Sequence, residues 1–234
     1  MVRRVVIVGG GVAAMRCALE LRTLGFDGGV TVVAREETQP YDRTLVSKDL
    51  LAEEPVPDSI LLLNPSEAYA EAAIALRTAT AATGLDLAAR RIEVDTGRAV
   101  PFDRLVIATG GEAIRPMPLM ADGVIVLRDR VDAARLRERL DGAEHVAIVG
   151  GGFIGTEVAS AAVARGLRAT IVTPQPAPLA SALGPQVAER VAALHRLQGV
   201  ELATGAAVAA VRRDGRGYLL TLDDGRRLAA DLVV

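Results

Sequence analysis

The stretch Val5-Val6-Ile7-Val8-Gly9-Gly10-Gly11-Val12-Ala13-Ala14 returns in the second half of the chain as Val146-Ala147-Ile148-Val149-Gly150-Gly151-Gly152-Phe153-Ile154-Gly155. A short Val/Ile run reads as a strand buried on both faces, as in a parallel sheet. The glycines that follow let the chain turn sharply and come close to a ligand, and the small third position, Ala14 or Gly155, lets the next helix pack onto the strand. In the first copy a helix is expected from Met15 to Leu24, with its free N–H groups and positive dipole end aimed at an anion over the turn. A lone G-x-G-x-x-A is weak evidence; a strand before it and a helix after it are what the motif requires.

The echo extends well beyond the glycines. A helix from Thr156 to Ala164, a stop at Gly166 and a strand from Ala169 to Thr173 match the first helix, Gly25 and a strand from Val30 to Ala34. An internal repeat of one nucleotide-binding design implies two dinucleotides. The expected fold class is therefore α/β, with two Rossmann-like dinucleotide-binding domains, each carrying an antiparallel β-meander.

Composition narrows the function classes. The chain has 234 residues and 50% hydrophobic residues, enough for a sizeable core, but aromatics are only 3%, so that core is built from Val, Leu, Ile and Ala. A net charge of -2 leaves no basic footprint for nucleic acid. The single Cys17 excludes an intrachain disulfide, a C-x-x-C redox pair and a cysteine-based metal site, and with only His145 and His195 besides, no metal is expected. Met1-Val2-Arg3-Arg4 before an apolar run mimics a signal peptide, but glycines interrupt that run and Arg16, Glu20 and Arg22 follow. No stretch approaches the ~20 apolar residues of a membrane span. No membrane partner is expected, and a cytoplasmic location is the default.

Between the two copies the chain reads as follows. Glu36 lies just past the second strand, where a dinucleotide fold places the carboxylate that binds the adenosine ribose, with Glu37 as its neighbour and substitute. Gln39 to Leu51 is a loop entering a short helix, and spacing alone leaves Arg43 and Lys48 open between phosphate or flavin ligands and ordinary solvated charges. Pro55 to Pro65 reads as a connector and Ser66 to Ala73 as a helix. Ile74 to Val100 alternates polar and apolar residues, as an antiparallel meander does. Asp103 to Gly110 reads as a buried strand ending in small residues that admit another backbone. Pro116 and Pro118 mark a linker, which gives domains of 1–112 and 113–234. A helix through Val131 to Leu140 and a second meander from Val200 to Leu228 complete the pattern. Cys17 reads as a small core residue, His195 as a surface or half-buried helix residue and Tyr41 as a packing residue.

With these motifs the chain resembles the two-dinucleotide flavoprotein family, in its ferredoxin-reductase-like branch, the rubredoxin and putidaredoxin reductase type. The most specific segment is P-Y-x-R-x-x-x-S-K, here Pro40, Tyr41, Arg43, Ser47 and Lys48. The resemblance implies an FAD site at Gly9, Gly11, Ala14 and Glu36, Arg43 on the FAD phosphates, and Lys48 beside the reactive nitrogen of the flavin ring. It further implies an adenine contact by the backbone of Ala82, a cofactor-facing turn at Ala108-Thr109-Gly110, and an FAD contact by Arg115. The second fingerprint, Gly150, Gly152, Ile154 and Gly155, resembles the nicotinamide dinucleotide site, and Glu157 would reach Lys48 across the domain interface. For Glu157 the residue-level alternative is an exposed first-turn acid favoured by the helix dipole.

Two departures from the family pattern stand out. Thr173 ends the second Rossmann strand where NADH-using relatives have an acid, and no arginine follows to grip a 2′-phosphate, so NADH is the expected cofactor and NADPH stays open. The sequence ends at Asp231-Leu232-Val233-Val234, whereas the family continues into a segment that returns to the FAD domain and into a third domain that helps dimerisation. The resemblance implies an NAD(P)H oxidoreductase that passes hydride to FAD and electrons to a ferredoxin-type iron–sulfur protein, with a homodimer within reach of the complete protein. Rivals are a same-fold reductase with another acceptor and a nucleotide-binding redox sensor.

Overall fold

The computed structural model describes residues 1–54 and 56–234. Pro55, the first residue of the expected connector, lies outside the described residues. Two compact units result, Met1–Arg43 with Pro57–Gly111, and Thr44–Val56 with Glu112–Val234. The change of unit at Gly111 falls beside the expected boundary, but the segment Thr44–Val56 packs with the second unit.

The first unit runs β1 (Arg4–Val8), α1 (Val12–Thr23), β2 (Gly29–Val33), α2 (Asp58–Leu61), α3 (Ser66–Glu71), β3 (Ile74–Arg77), β4 (Ala82–Asp86), β5 (Arg91–Val94), β6 (Ala99–Pro101) and β7 (Arg104–Ile107). Strands β3-β2-β1-β7 form a parallel sheet, and β4-β5-β6 form an antiparallel one. Side chains alternate across a strand, so β1 feeds two cores. Val5 and Ile7 pack with Ala14, Met15 and Ala18 of α1, while Val6 packs with Ile92, Val94 and Val100 of the meander. That double burial is why the opening run is apolar at every position.

Helix α1 begins at Val12, earlier than expected, because its first turn is built from the fingerprint itself. The expected meander also begins too early. Ile74–Arg77 pairs parallel with β2, not with the strand that follows it. Its alternation arises because it is an edge strand with one covered face, a pattern that the sequence shares with a meander strand.

The second unit repeats the design with α4 (Arg130–Leu140), β8 (His145–Val149), α5 (Phe153–Ala164), β9 (Arg168–Thr173), α6 (Ala180–Leu183), α7 (Pro185–Leu197), β10 (Val200–Thr204), β11 (Val208–Asp214), β12 (Gly217–Leu222), β13 (Arg227–Ala230) and β14 (Leu232–Val233). Strands β10-β9-β8-β14 are parallel, and β11-β12-β13 form the second meander. Here too the expected meander began one strand early, since Val200–Thr204 is the parallel edge. Even the ties between sheet and meander recur. The Asp103 carboxylate accepts from the N–H groups of Arg3 and Arg4, both at 2.8 Å, and Asp231 accepts from Glu144 and His145 at 3.0 and 2.9 Å.

Arg22 closes the end of α1 in a way the sequence does not announce. Its guanidinium donates to four carbonyls, those of Ala72, Phe26, Gly28 and Ala73, at 2.6 to 2.8 Å. These carbonyls end α3 and the loop into β2, so one side chain satisfies backbone groups that would otherwise need water.

Candidate functional site

In the first unit Gly9 has φ +132°, and a Cβ there would sit 2.0 Å from the carbonyl oxygen of Ala108. Only glycine permits this contact between the two backbones, which also puts Thr109 and Gly110, both exposed, beside the fingerprint turn. Gly11 caps α1 without a side-chain hydrogen bond, and Met15 N–H donates to Gly11 O at 3.1 Å. The helix start therefore presents uncapped N–H donors, the requirement for holding a pyrophosphate. Ala14 is fully buried beneath it.

Glu36 lies past the end of β2 and is held by two neighbours. The Tyr41 hydroxyl donates to its Oε2 at 2.7 Å, and the Arg43 guanidinium pairs with its Oε1. Glu37 is exposed. A carboxylate has about four lone-pair positions, so Glu36 keeps capacity to accept from a ribose hydroxyl. Tyr41 is thus more than a packing residue, since it orients that carboxylate. Ala79 N–H donates to Glu36 O at 2.9 Å, which brings the approach to β4, and so exposed Ala82, to the same end of the sheet.

In the second unit Gly152 caps α5, again without a side-chain bond. A Cβ on Gly155 would lie 2.0 Å from Gly150 O, so α5 approaches its turn more closely than an alanine would allow. Beside this turn is a cleft of about 500 Å³, lined by Gly150, Gly152, Ile154 and Gly155 together with Ile125, Leu127 and Arg115. Among the described lining residues Arg115 is the charged one, and it shares this cleft with the second fingerprint. The size and apolar lining suit an organic ligand with one anionic group.

Thr173 sits beneath the same turn, only 2% exposed. Its hydroxyl accepts from Gln175 N–H at 3.3 Å, and a Cβ on Gly151 would lie 3.1 Å from it. Gln175 itself is exposed. The repeat carried the signal that selects it, since Gln175 lies two residues past Thr173 as Glu36 lies two past Ala34.

Lys48 and Glu157 come together, Nζ to Oε1 at 3.5 Å, but not across the expected domain boundary, because Thr44–Val56 packs with the second unit and both residues belong to it. Glu157 is the fifth residue of α5, beyond the first turn, so the dipole alternative does not account for it. Ser47, adjacent to Lys48, is 5% exposed and donates to the other Glu157 oxygen, Oε2, at 2.5 Å. The segment carrying them is fastened downstream, where Arg165 donates to Leu51 O and Ala52 O, both at 3.2 Å, and pairs with Asp141.

Against known proteins, the family description "Pyridine nucleotide-disulphide oxidoreductase" matches residues 3–234. The chain belongs to this family. Within the family it is 33% identical over 233 residues to a rubredoxin-NAD(+) reductase of Pseudomonas putida, covering 98% of this chain and 60% of that protein. It is 35% identical over 237 residues to the ferredoxin–NAD(+) reductase component of the biphenyl dioxygenase system of Paraburkholderia xenovorans, covering 100% of this chain and 57% of that protein. Among solved structures, a ferredoxin reductase from Rhodopseudomonas palustris superposes with a TM-score of 0.91 at 29% identity, over 99% of this chain and 57% of that one. The chain thus spans 57–60% of the length of these curated relatives. The single cysteine of this chain, Cys17, is half-buried against the α1 core.

Proposed function

We propose that this chain is the dinucleotide-binding portion of an FAD-dependent NAD(P)H oxidoreductase that delivers electrons to a ferredoxin-type iron–sulfur protein. The observation that carries the reading is the pairing of Lys48 with Glu157 in a chain that holds two dinucleotide fingerprints and no cysteine pair. In this reading the first unit is the FAD-binding domain and the second the nicotinamide-binding domain, a division at 112/113 with Thr44–Val56 attached to the latter.

The assignments follow from what each group offers. Gly9, Gly11 and the start of α1 bind the FAD pyrophosphate, with Ala14 keeping the helix close; Glu36 accepts from the adenosine ribose, Ala82 meets the adenine, and Ala108-Thr109-Gly110 border the cofactor. Arg43 serves the phosphates and orients Glu36. Gly150, Gly152, Ile154 and Gly155 bind NADH, with NADPH taken less well, next to Thr173. Arg115 supplies a positive charge to a bound dinucleotide. Lys48 contributes a fixed positive charge where negative charge develops during hydride transfer, and Glu157 keeps it in place. When bound, FAD supplies the conversion of a two-electron donor into single electrons, which a nicotinamide cannot perform. No helix among the described residues is long and apolar enough to cross a membrane, and we place the protein in the cytoplasm.

The test is anaerobic addition of NADH and then NADPH to the purified chain supplied with FAD, followed by visible absorption. Bleaching of a protein-bound flavin supports the reading. A bound flavin that neither nucleotide bleaches would sink it.

A further inference from the structure

Lys48 is the only lysine in the sequence; every other cationic side chain is arginine. A lysine ammonium is a compact point charge on a flexible stem, whereas an arginine guanidinium is a planar fork that fixes its own geometry against a carboxylate. A lysine at this position therefore depends on its surroundings for direction.

The ion pair cannot supply that direction unaided. Its side chains are 48% and 28% exposed, and pairs this open are weak and fix little. The terminal torsion of a glutamate is also broad, so an unrestrained Glu157 carboxylate would turn. Ser47 removes that freedom. Its buried hydroxyl engages Oε2 at 2.5 Å and leaves Oε1 for Lys48 at 3.5 Å. The two partners are consecutive residues, and the chain around them is already tied by Lys48 N–H to Leu45 O at 3.1 Å, Leu51 N–H to Lys48 O at 2.9 Å, and the Arg165 contacts downstream.

We propose that Ser47 is a positioning residue that aims Lys48 by locking the rotation of the Glu157 carboxylate. Its relevance to hydride transfer rests on the reading of Lys48 given above, but the positioning is a property of this chain and is measurable without flavin.

The single lysine makes the test direct, because lysine labelled with ¹³C at Cε gives one lysine resonance, from Lys48. In the unmodified chain the two Hε protons are expected to be inequivalent, the mark of a side chain held in one orientation. Ser47→Ala and Glu157→Gln are expected to abolish that inequivalence, and Ser47→Thr, which keeps the hydroxyl, to preserve it. Should Ser47→Ala not fold, Ser47→Cys, a weak donor of similar size, carries the same expected loss. The proposal is overturned if the unmodified chain shows equivalent protons, if the serine replacement leaves them inequivalent, or if Ser47→Thr loses the signature. A flavin that no nicotinamide reduces would end the proposed function while leaving this result intact.

Discussion

Gln175 stands in the second unit where Glu36 stands in the first. Gly9 N–H donates to Val33 O and Ala79 N–H to Glu36 O, both at 2.9 Å; Gly150 N–H donates to Val172 O at 2.9 Å and Gly205 N–H to Gln175 O at 3.2 Å. The strand registers agree, with Val8 opposite Val33 and Val149 opposite Val172. By this register Thr173 corresponds to Ala34, a residue under the glycine turn.

The neutral Gln175 amide neither repels nor specifically grips a 2′-phosphate. Gln175→Glu is therefore expected to weaken NADPH binding about tenfold relative to NADH, about 1.4 kcal/mol of discrimination. Thr173→Ala, with its hydroxyl turned inward, should leave the ratio unchanged. Fluorescence titration with both nucleotides reads the ratio, and an unchanged ratio in Gln175→Glu would remove this residue from the ribose site.

Gly9→Ala is expected to destabilise the chain by roughly 2–3 kcal/mol, since the added Cβ meets the Ala108 carbonyl and the backbone is left-handed there. Nothing lies within 4 Å of a Cβ on Gly11. Gly11→Ala should cost at most about 1 kcal/mol, the scale of a lost helix cap. Urea midpoints of the two variants make the comparison.

Buried His145 contacts the Thr170 hydroxyl at 2.8 Å, and that hydroxyl donates to Glu201 at 2.8 Å. Burial, reinforced by the charge of Arg168, holds its pKa below the ordinary 6.5. The unfolded chain then binds the proton more readily. Its contribution to stability is complete above about pH 6.5 and is lost as pH falls through the folded value. Burial acts on His195 in the same direction. Thermal midpoints measured downward from pH 8 should fall below pH 6.5, and His145→Gln should flatten part of that fall.

Arg22→Ala should cost about 3 kcal/mol, because four carbonyls lose a charged donor and are only partly compensated by water. Arg22→Lys should recover only part of it, since an ammonium has three donors and no planar fork. The measurement is again the urea midpoint.

The sequence by itself determined the two strand-turn-helix units, because a Val/Ile run broken by glycines admits almost no other local structure. The glycine spacing and the place of Glu36 just past a strand are local in the same way, whereas the S-K dipeptide stands out only through the family resemblance. Alternation could not separate a parallel edge strand from a meander strand, as Ile74–Arg77 and Val200–Thr204 demonstrate, because half-burial gives both the same pattern. Only the tertiary structure decided that Ser47 locks Glu157 and that Thr44–Val56 packs with the second unit. These relationships join residues far apart in the chain, and their geometry is set by strand register and packing, which no local run of residues encodes.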